Sequence, residues 1–219
     1  MSQTVAAHPN SSKPAKPPGR IGRAAGIVFA LLMAVLIAGA LSVSAEWIGI
    51  ALGWWPKHHS FELLVRERSY VEAIDRFPLT ALTPVQLANH AAGRVDEIAR
   101  KAGLGWGAGG YGIAAVNTIK LAALRLSVCL FTIPAFVIVA LVALFDGLVA
   151  RDIRKYTGGH ESSYVFHAAK RFVVPSLMLT VTIYLMLPIS VRPVVVFGPA
   201  LLSSAVMIYT AASRFKKYL

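Results

Sequence analysis

Residues 24–45 read AAGIVFALLMAVLIAGALSVSA, a run with no ionisable side chain. Nothing else in the chain constrains its fold as strongly. A helix rises about 1.5 Å per residue, so such a run covers the ~30 Å hydrocarbon core of a bilayer. Three further runs follow: 126-LSVCLFTIPAFVIVALVALF-145, 172-FVVPSLMLTVTIYLMLP-188 and 194-VVVFGPALLSSAVMIYTAAS-213. The third of the four is the shortest and borrows length from Ala168 and Ala169. Composition agrees, with 56% hydrophobic and 15% charged residues, where a soluble domain carries about 25% charged. The predicted fold is an all-α integral membrane protein. It has four transmembrane helices, a small external helical segment and a cytoplasmic helical hairpin.

The net charge of +12 would suggest nucleic acid in a soluble protein. Here the basic residues flank the apolar runs. Lys13, Lys16, Arg20 and Arg23 precede the first. Arg151, Arg154, Lys155, Lys170 and Arg171 lie between the second and third, and Arg214, Lys216 and Lys217 follow the fourth. Only Arg192 sits in the turn between the third and fourth. The positive-inside bias places both termini in the cytoplasm and residues 46–120 outside. No direct nucleic-acid contact is expected.

The expected organisation is then a disordered basic tail over 1–23, a first span over 24–45 and an external helical segment over 46–120. A long helix over 121–156 contains the second span. A turn and helix over 157–188 contain the third, 194–213 is the fourth, and 214–219 is a basic C-terminus. Val43-Ser44-Ala45 before Glu46 has the form of a signal-peptidase site. Secretory apolar segments usually run about 7–15 residues, so the first run reads as an uncleaved anchor. Cleavage would leave the remaining topology unchanged.

Within the first run, Gly26, Ala30, Ala34, Ala38 and Ser42 recur every four residues. Such a ladder of small residues lets a second helix approach closely, and alanine abundance alone explains it equally well. Trp47, Trp54 and Trp55 fit an aromatic belt at a membrane surface, with Trp106 as a further anchor. Residues 60–77 have an amphipathic pattern, with Ser60 as a candidate cap. Thr83 followed by Pro84 predicts a helix start and Gly103 its end. From 112 to 156 a single helix is expected, with Pro134 as a kink. Gly158-Gly159 then breaks the chain, and Glu161, Ser162 or Ser163 starts the next helix.

Asp146, Asp152, His160, Glu161 and His167 invite a test for chemistry. Their spacing contains no H-E-x-x-H, which would set two histidines one helical turn apart. His58, His59 and Glu62 form a second loose cluster, and adjacent histidines point apart on regular structure. There is no phosphate-binding G-x-x-x-x-G-K-[ST] and no G-x-S-x-G elbow. Cys129 stands alone, so it forms no intrachain disulfide. The four runs hold no Asp, Glu, Lys, Arg or His, which transport pathways usually need at membrane depth. No catalytic, cofactor or metal residue is therefore expected. A channel or transporter subunit, and a metal-dependent enzyme using His160, Glu161 and His167, are the alternatives ranked below a non-enzymatic membrane component.

The run 146-DGLVARDIRKYTGGHESSYVFHAAKR-171, with 213-SRFKKYL-219 and 46-EWIGIALGWW-55, resembles the integrating conjugative element membrane proteins. That is a multi-pass family of unknown molecular function. The similarity covers most of residues 24–219 and is densest at the hairpin. It implies the bacterial inner membrane and a role beside type IV secretion and coupling ATPase proteins in DNA transfer. On that basis, Arg151, Asp152, Arg154, Lys155, His160, Glu161, Tyr164 and His167 are the expected partner surface. The coupling ATPase or secretion-system membrane proteins are the expected partners alongside membrane lipids, with self-association left open.

Overall fold

The computed structural model describes residues 20–74, 83–104, 109–157 and 163–214. Trp106, the Gly158-Gly159 break, His160 and Glu161 lie outside the described residues, as do most of the N-terminal tail and the final basic residues. Six helices are present among the described residues, and no strand. They are α1 (Arg20–Ala51), α2 (His59–Ile74), α3 (Pro84–Lys101), α4 (Gly109–Thr157), α5 (Ser163–Met186) and α6 (Pro193–Ser213).

Three stretches are long and apolar enough to cross a membrane: Val28–Ala51, Gly109–Arg154 and Pro193–Ser213. The apolar part of α5, Arg171–Met186, is shorter. Arg171 closes it on one side and the turn at Leu187–Pro188 on the other, leaving about 24 Å of apolar helix at 1.5 Å per residue. Three long apolar helices and one short one therefore stand where four spans were expected.

The longest element, α4, has 49 residues, about 74 Å. It runs from Gly109 to Thr157, close to the single helix expected over 112–156 and upstream of the 121 boundary, because nothing after the glycine-rich turn breaks a helix. It continues past Pro134 without interruption. Its two halves live in different surroundings. Ala114, Leu121, Leu124 and Val128 in the first half are buried, while Ile133, Val137, Val142, Phe145 and Val149 in the second are exposed. Apolar side chains left in view over that length are what a helix presents to lipid. α6 lies along both α4 and α5, and α1 packs on α4 and α5.

α3 starts as its sequence predicts. The Thr83 hydroxyl accepts from the Gln86 amide at 3.3 Å, and the Gln86 side chain answers the Thr83 amide at 3.2 Å, with Pro84 in the first turn. This reciprocal box satisfies two of the amides a helix start leaves open. Gly103 takes φ +69°, the left-handed conformation that ends the helix. Lys120 on α4 pairs with Asp96 at 2.5 Å and ties the two helices together.

The small-residue ladder of α1 is divided. Ala38 and Ser42 are buried, Ala34 is half-buried, and Gly26 and Ala30 are exposed. Burial continues down the same face through Glu46 and Ile50, so the packed face belongs to the second half of α1.

Two local expectations are corrected. Trp47 and Trp54 are exposed, but Trp55 folds back over Gly49 and stacks on His59 with ring centroids 4.8 Å apart. A Cβ at residue 49 would collide with the Trp55 ring, so the glycine makes room for the indole. Ser60 does not cap α2. Glu46 does, with one carboxylate oxygen accepting from the Ser60 amide at 2.9 Å and the other 3.0 Å from His59 Nδ1. A carboxylate suits that position because the helix start carries partial positive charge.

Candidate functional site

The amphipathic pattern of residues 60–77 places Glu67 on a polar face. In the structure Glu67 points inward and is 2% exposed, on the same side as Leu63 and Val71, while Phe61 and Val65 face outward. Its partner is Arg125, 1% exposed, one residue before the second apolar run. Arg125 Nε donates to Glu67 Oε2 at 2.9 Å, and Nη2 donates to Oε1. This is the two-pronged pairing that a planar guanidinium makes with a carboxylate.

The remaining donors of Arg125 reach the end of α5 and the turn beyond it. Nη1 donates to the carbonyls of Tyr184 at 3.1 Å and Leu187 at 2.6 Å, and Nη2 to that of Ile189 at 2.8 Å. The last carbonyls of a helix lack intrahelical partners and carry partial negative charge, so a buried cation satisfies them and gains from the dipole. The guanidinium also lies 5.5 Å from the centre of the Tyr184 ring. Glu67 in turn accepts from the Val191 backbone amide. Burial raises the Glu67 carboxyl above its ordinary value, opposed by the hydrogen bonds and charge of Arg125 and by that amide.

Arg125 and Glu67 thus fasten three pieces: α2, α4 and the α5–α6 turn. Around them pack Val71, Ala88, Leu124, Val128, Tyr184 and Phe197, one or more from each of α2 to α6. Tyr184 and Phe197 meet edge to face at 5.2 Å, and Arg192 in the turn lies over Tyr70 at 5.7 Å. The arrangement closes one end of the α4–α5–α6 bundle. A buried pair of this kind gives register and rigidity more readily than net stability.

At the opposite, basic end, α4 and α6 approach closely at Gly147. A Cβ there would lie 2.7 Å from the Ala212 Cβ and 2.8 Å from the Tyr209 carbonyl oxygen. Arg154 Nη1 donates to the Ser213 carbonyl at 2.8 Å, closing the end of α6. Arg151 is half-buried and 3.3 Å from Asp152, whose side chain is exposed. Tyr156, one turn beyond Asp152, is 92% exposed.

Of the residues expected to form a partner surface, Arg151, Asp152 and Arg154 are therefore on one helix end, and Arg154 is also engaged with α6. His160 and Glu161 lie outside the described residues, as do the side chains of Lys155, Tyr164 and His167. Among the described residues, no three His, Cys, Asp or Glu side chains converge as a metal site would require.

The arrangement defines an all-helical protein of membrane-spanning composition, latched by an ion pair at one end and basic at the other. A family model described as IncC plasmid conjugative DNA transfer protein DtrJ-like matches residues 86–216. The chain belongs to that family, and its role lies in conjugative DNA transfer. The match runs through α3 to α6, taking in Arg125, Gly147, Arg151 and Arg154, and leaves out Glu67. The family is a plasmid one, and its agreement with the resemblance drawn from the sequence lies in conjugation. No curated protein and no solved structure matches the chain.

Proposed function

We propose that the protein is a non-enzymatic inner-membrane component of a conjugative DNA-transfer apparatus, with four spans and both termini in the cytoplasm. α4, α5 and α6 form the bundle, the second half of α1 packs on α4 and α5, and α2 and α3 cover its outer end. Its basic end docks a partner of the transfer machinery, for which the coupling ATPase is the natural candidate. The observation that carries this reading is the exposed end of α4. Asp152 and Tyr156 project beyond the apolar surface of the helix, while Gly147 and Arg154 fix that end against α6. A helix end held in place and exposed beside an apolar surface is suited to presenting side chains to a partner.

The parallel course of α4 and α6, both running from the Arg125 end to the Gly147 end, supports four spans over three. With α4 and α6 each long enough to span and crossing in the same direction, the chain between them returns across the membrane, and α5 is the segment available. Ala168 and Ala169 extend its modest apolar length in sequence, within what a bilayer accommodates.

The test is photo-crosslinking in mating cells from a reactive amino acid placed at Tyr156. Adducts with the coupling ATPase or secretion-system membrane proteins are expected, and Phe61 provides a control position at the other end. Adducts to lipid alone at Tyr156 while transfer is active would contradict docking there.

A further inference from the structure

Each helix of the bundle carries an internal proline and runs on through it: Pro134 in α4, Pro175 in α5 and Pro199 in α6. A proline has no amide to give the carbonyl four residues earlier, so the hydrogen-bond ladder is cut at Leu130, Arg171 and Val195. Sharp bends in helices concentrate at such positions. The three cuts share a layer. The rings of Phe136 and Phe197 meet at 6.5 Å, and each stands two residues from the proline of its own helix. Leu177, two residues from Pro175, lines the same cleft as both rings.

The helices differ in how they are held on the two sides of that layer. α4 lies closely along α6 and meets it at Gly147 and, through Arg154, at Ser213. At the other end Arg125 joins α4 to the close of α5 and to the turn into α6. α4 and α6 are thus fixed to each other on both sides of their prolines. α4 touches α5 far less. Beyond the Arg125 contact the two are parted by an apolar cleft of about 370 Å³, with Ile133, Val137 and Ala140 on one wall and Val173, Leu177 and Val181 on the other. The hydroxyls that reach it donate within their own helices, Thr180 to the Ser176 carbonyl at 2.9 Å and Ser204 to that of Leu201 at 2.8 Å. A shift of the α5 wall therefore breaks no hydroxyl hydrogen bond across the cleft.

We propose that the first half of α5 is a lever that swings about Pro175 against a fixed α4–α6 pair, with the cleft as its room. From Tyr164 to Pro175 the arm is about 16 Å long. A change of about 20° at the proline moves its start by about 6 Å. α4 ends at Thr157 and α5 begins at Ser163, so the movement is delivered beside the docking end. The lever's service to docking rests on the reading above, and the hinge itself does not.

The test is pulsed electron paramagnetic resonance on the full chain in nanodiscs, with Cys129→Ala removing its one cysteine. Spin labels at Val149 and Tyr164 read the lever. Labels at Val149 and Val206, both exposed, read the fixed pair. The distances of the first pair are expected to spread about 6 Å more widely than those of the second. Pro175→Ala restores the amide and should collapse that excess. Pro199→Ala makes the same change in a helix held on both sides and should leave it. Ala140→Leu takes up the cleft from the α4 wall and should remove the shorter distances of the first pair, with the second unchanged. Equal spreads in the parent chain overturn the hinge, as does an excess that survives Pro175→Ala. Mating at equal membrane abundance scores the service to docking separately. Transfer should fall in Pro175→Ala, and parental transfer with the excess lost overturns that service while the hinge stands.

Discussion

Replacing Arg125 with methionine removes the guanidinium and keeps a side chain of similar reach. Packing volume changes little, so the loss is in polar contacts. Glu67, 2% exposed, is left buried without its cation. Breaking a buried pair from one side costs about 3–5 kcal/mol. The carbonyls of Tyr184, Leu187 and Ile189 also lose their donor. The turn carbonyls are near the surface and can recruit water, so the Tyr184 carbonyl carries most of that further cost, about 1–3 kcal/mol. A total of about 4–8 kcal/mol is comparable to the whole stability of many domains, about 5–15 kcal/mol. Adding Glu67→Leu removes the stranded carboxylate and should recover roughly half of the loss, because apolar replacement of both members of a buried pair is often near neutral. The helix-end carbonyl still lacks a donor, so recovery is incomplete. Unfolding by denaturant in detergent micelles, followed by tryptophan fluorescence, reads Arg125→Met, Glu67→Leu and the double variant. Arg125→Met within about 0.5 kcal/mol of the parent, the range of an ordinary surface substitution, would refute the reasoning. So would strictly additive single substitutions, since contacting groups must couple.

Other substitutions follow from single contacts. Gly147→Leu drives a side chain into Ala212 and the Tyr209 carbonyl and should separate α4 from α6, seen as faster proteolysis of the C-terminal segment. Thr83→Ala removes the capping box of α3 and should cost about 1 kcal/mol in the same unfolding measurement. Glu46→Ala frees His59 and the Ser60 amide, and should shift and broaden tryptophan emission as Trp55 leaves its stacked position. Glu46→Gln keeps one acceptor and should shift it less.

Much of the helical layout is legible in the sequence because it follows from local rules. Thr83-Pro84 and Gly103 bracket α3, and α4 is long because nothing between Gly110 and Thr157 stops it except a proline that helices tolerate at membrane depth. The latch is harder to read. Arg125 stands one residue outside an apolar run and looks like a flank charge. Glu67 sits among Arg66 and Arg68 and looks like one member of a solvated face. Only the tertiary approach of α2, α4 and the α5–α6 turn tells the two apart from their neighbours. One available signal is registry: Leu63, Glu67 and Val71 fall at four-residue spacing, so whichever side buries the two aliphatic residues buries the acid as well. Trp55 is similar. Beside Trp54 it reads as a belt residue, but Gly49 six positions earlier is the space it occupies. At the basic end, the charges mark an exposed tip, but the sequence does not reveal that Arg154 turns back to hold Ser213.

The most direct test of the docking account is mating efficiency with Tyr156→Ala and Asp152→Arg, measured at equal membrane abundance of the protein. Truncating a tyrosine at the centre of an interface costs about 2 kcal/mol, about thirtyfold in affinity. Both variants leave Gly147 and the Arg154–Ser213 hydrogen bond in place, and at equal abundance the account predicts a fall in DNA transfer of at least about tenfold. Transfer at the parental level in both variants would contradict it.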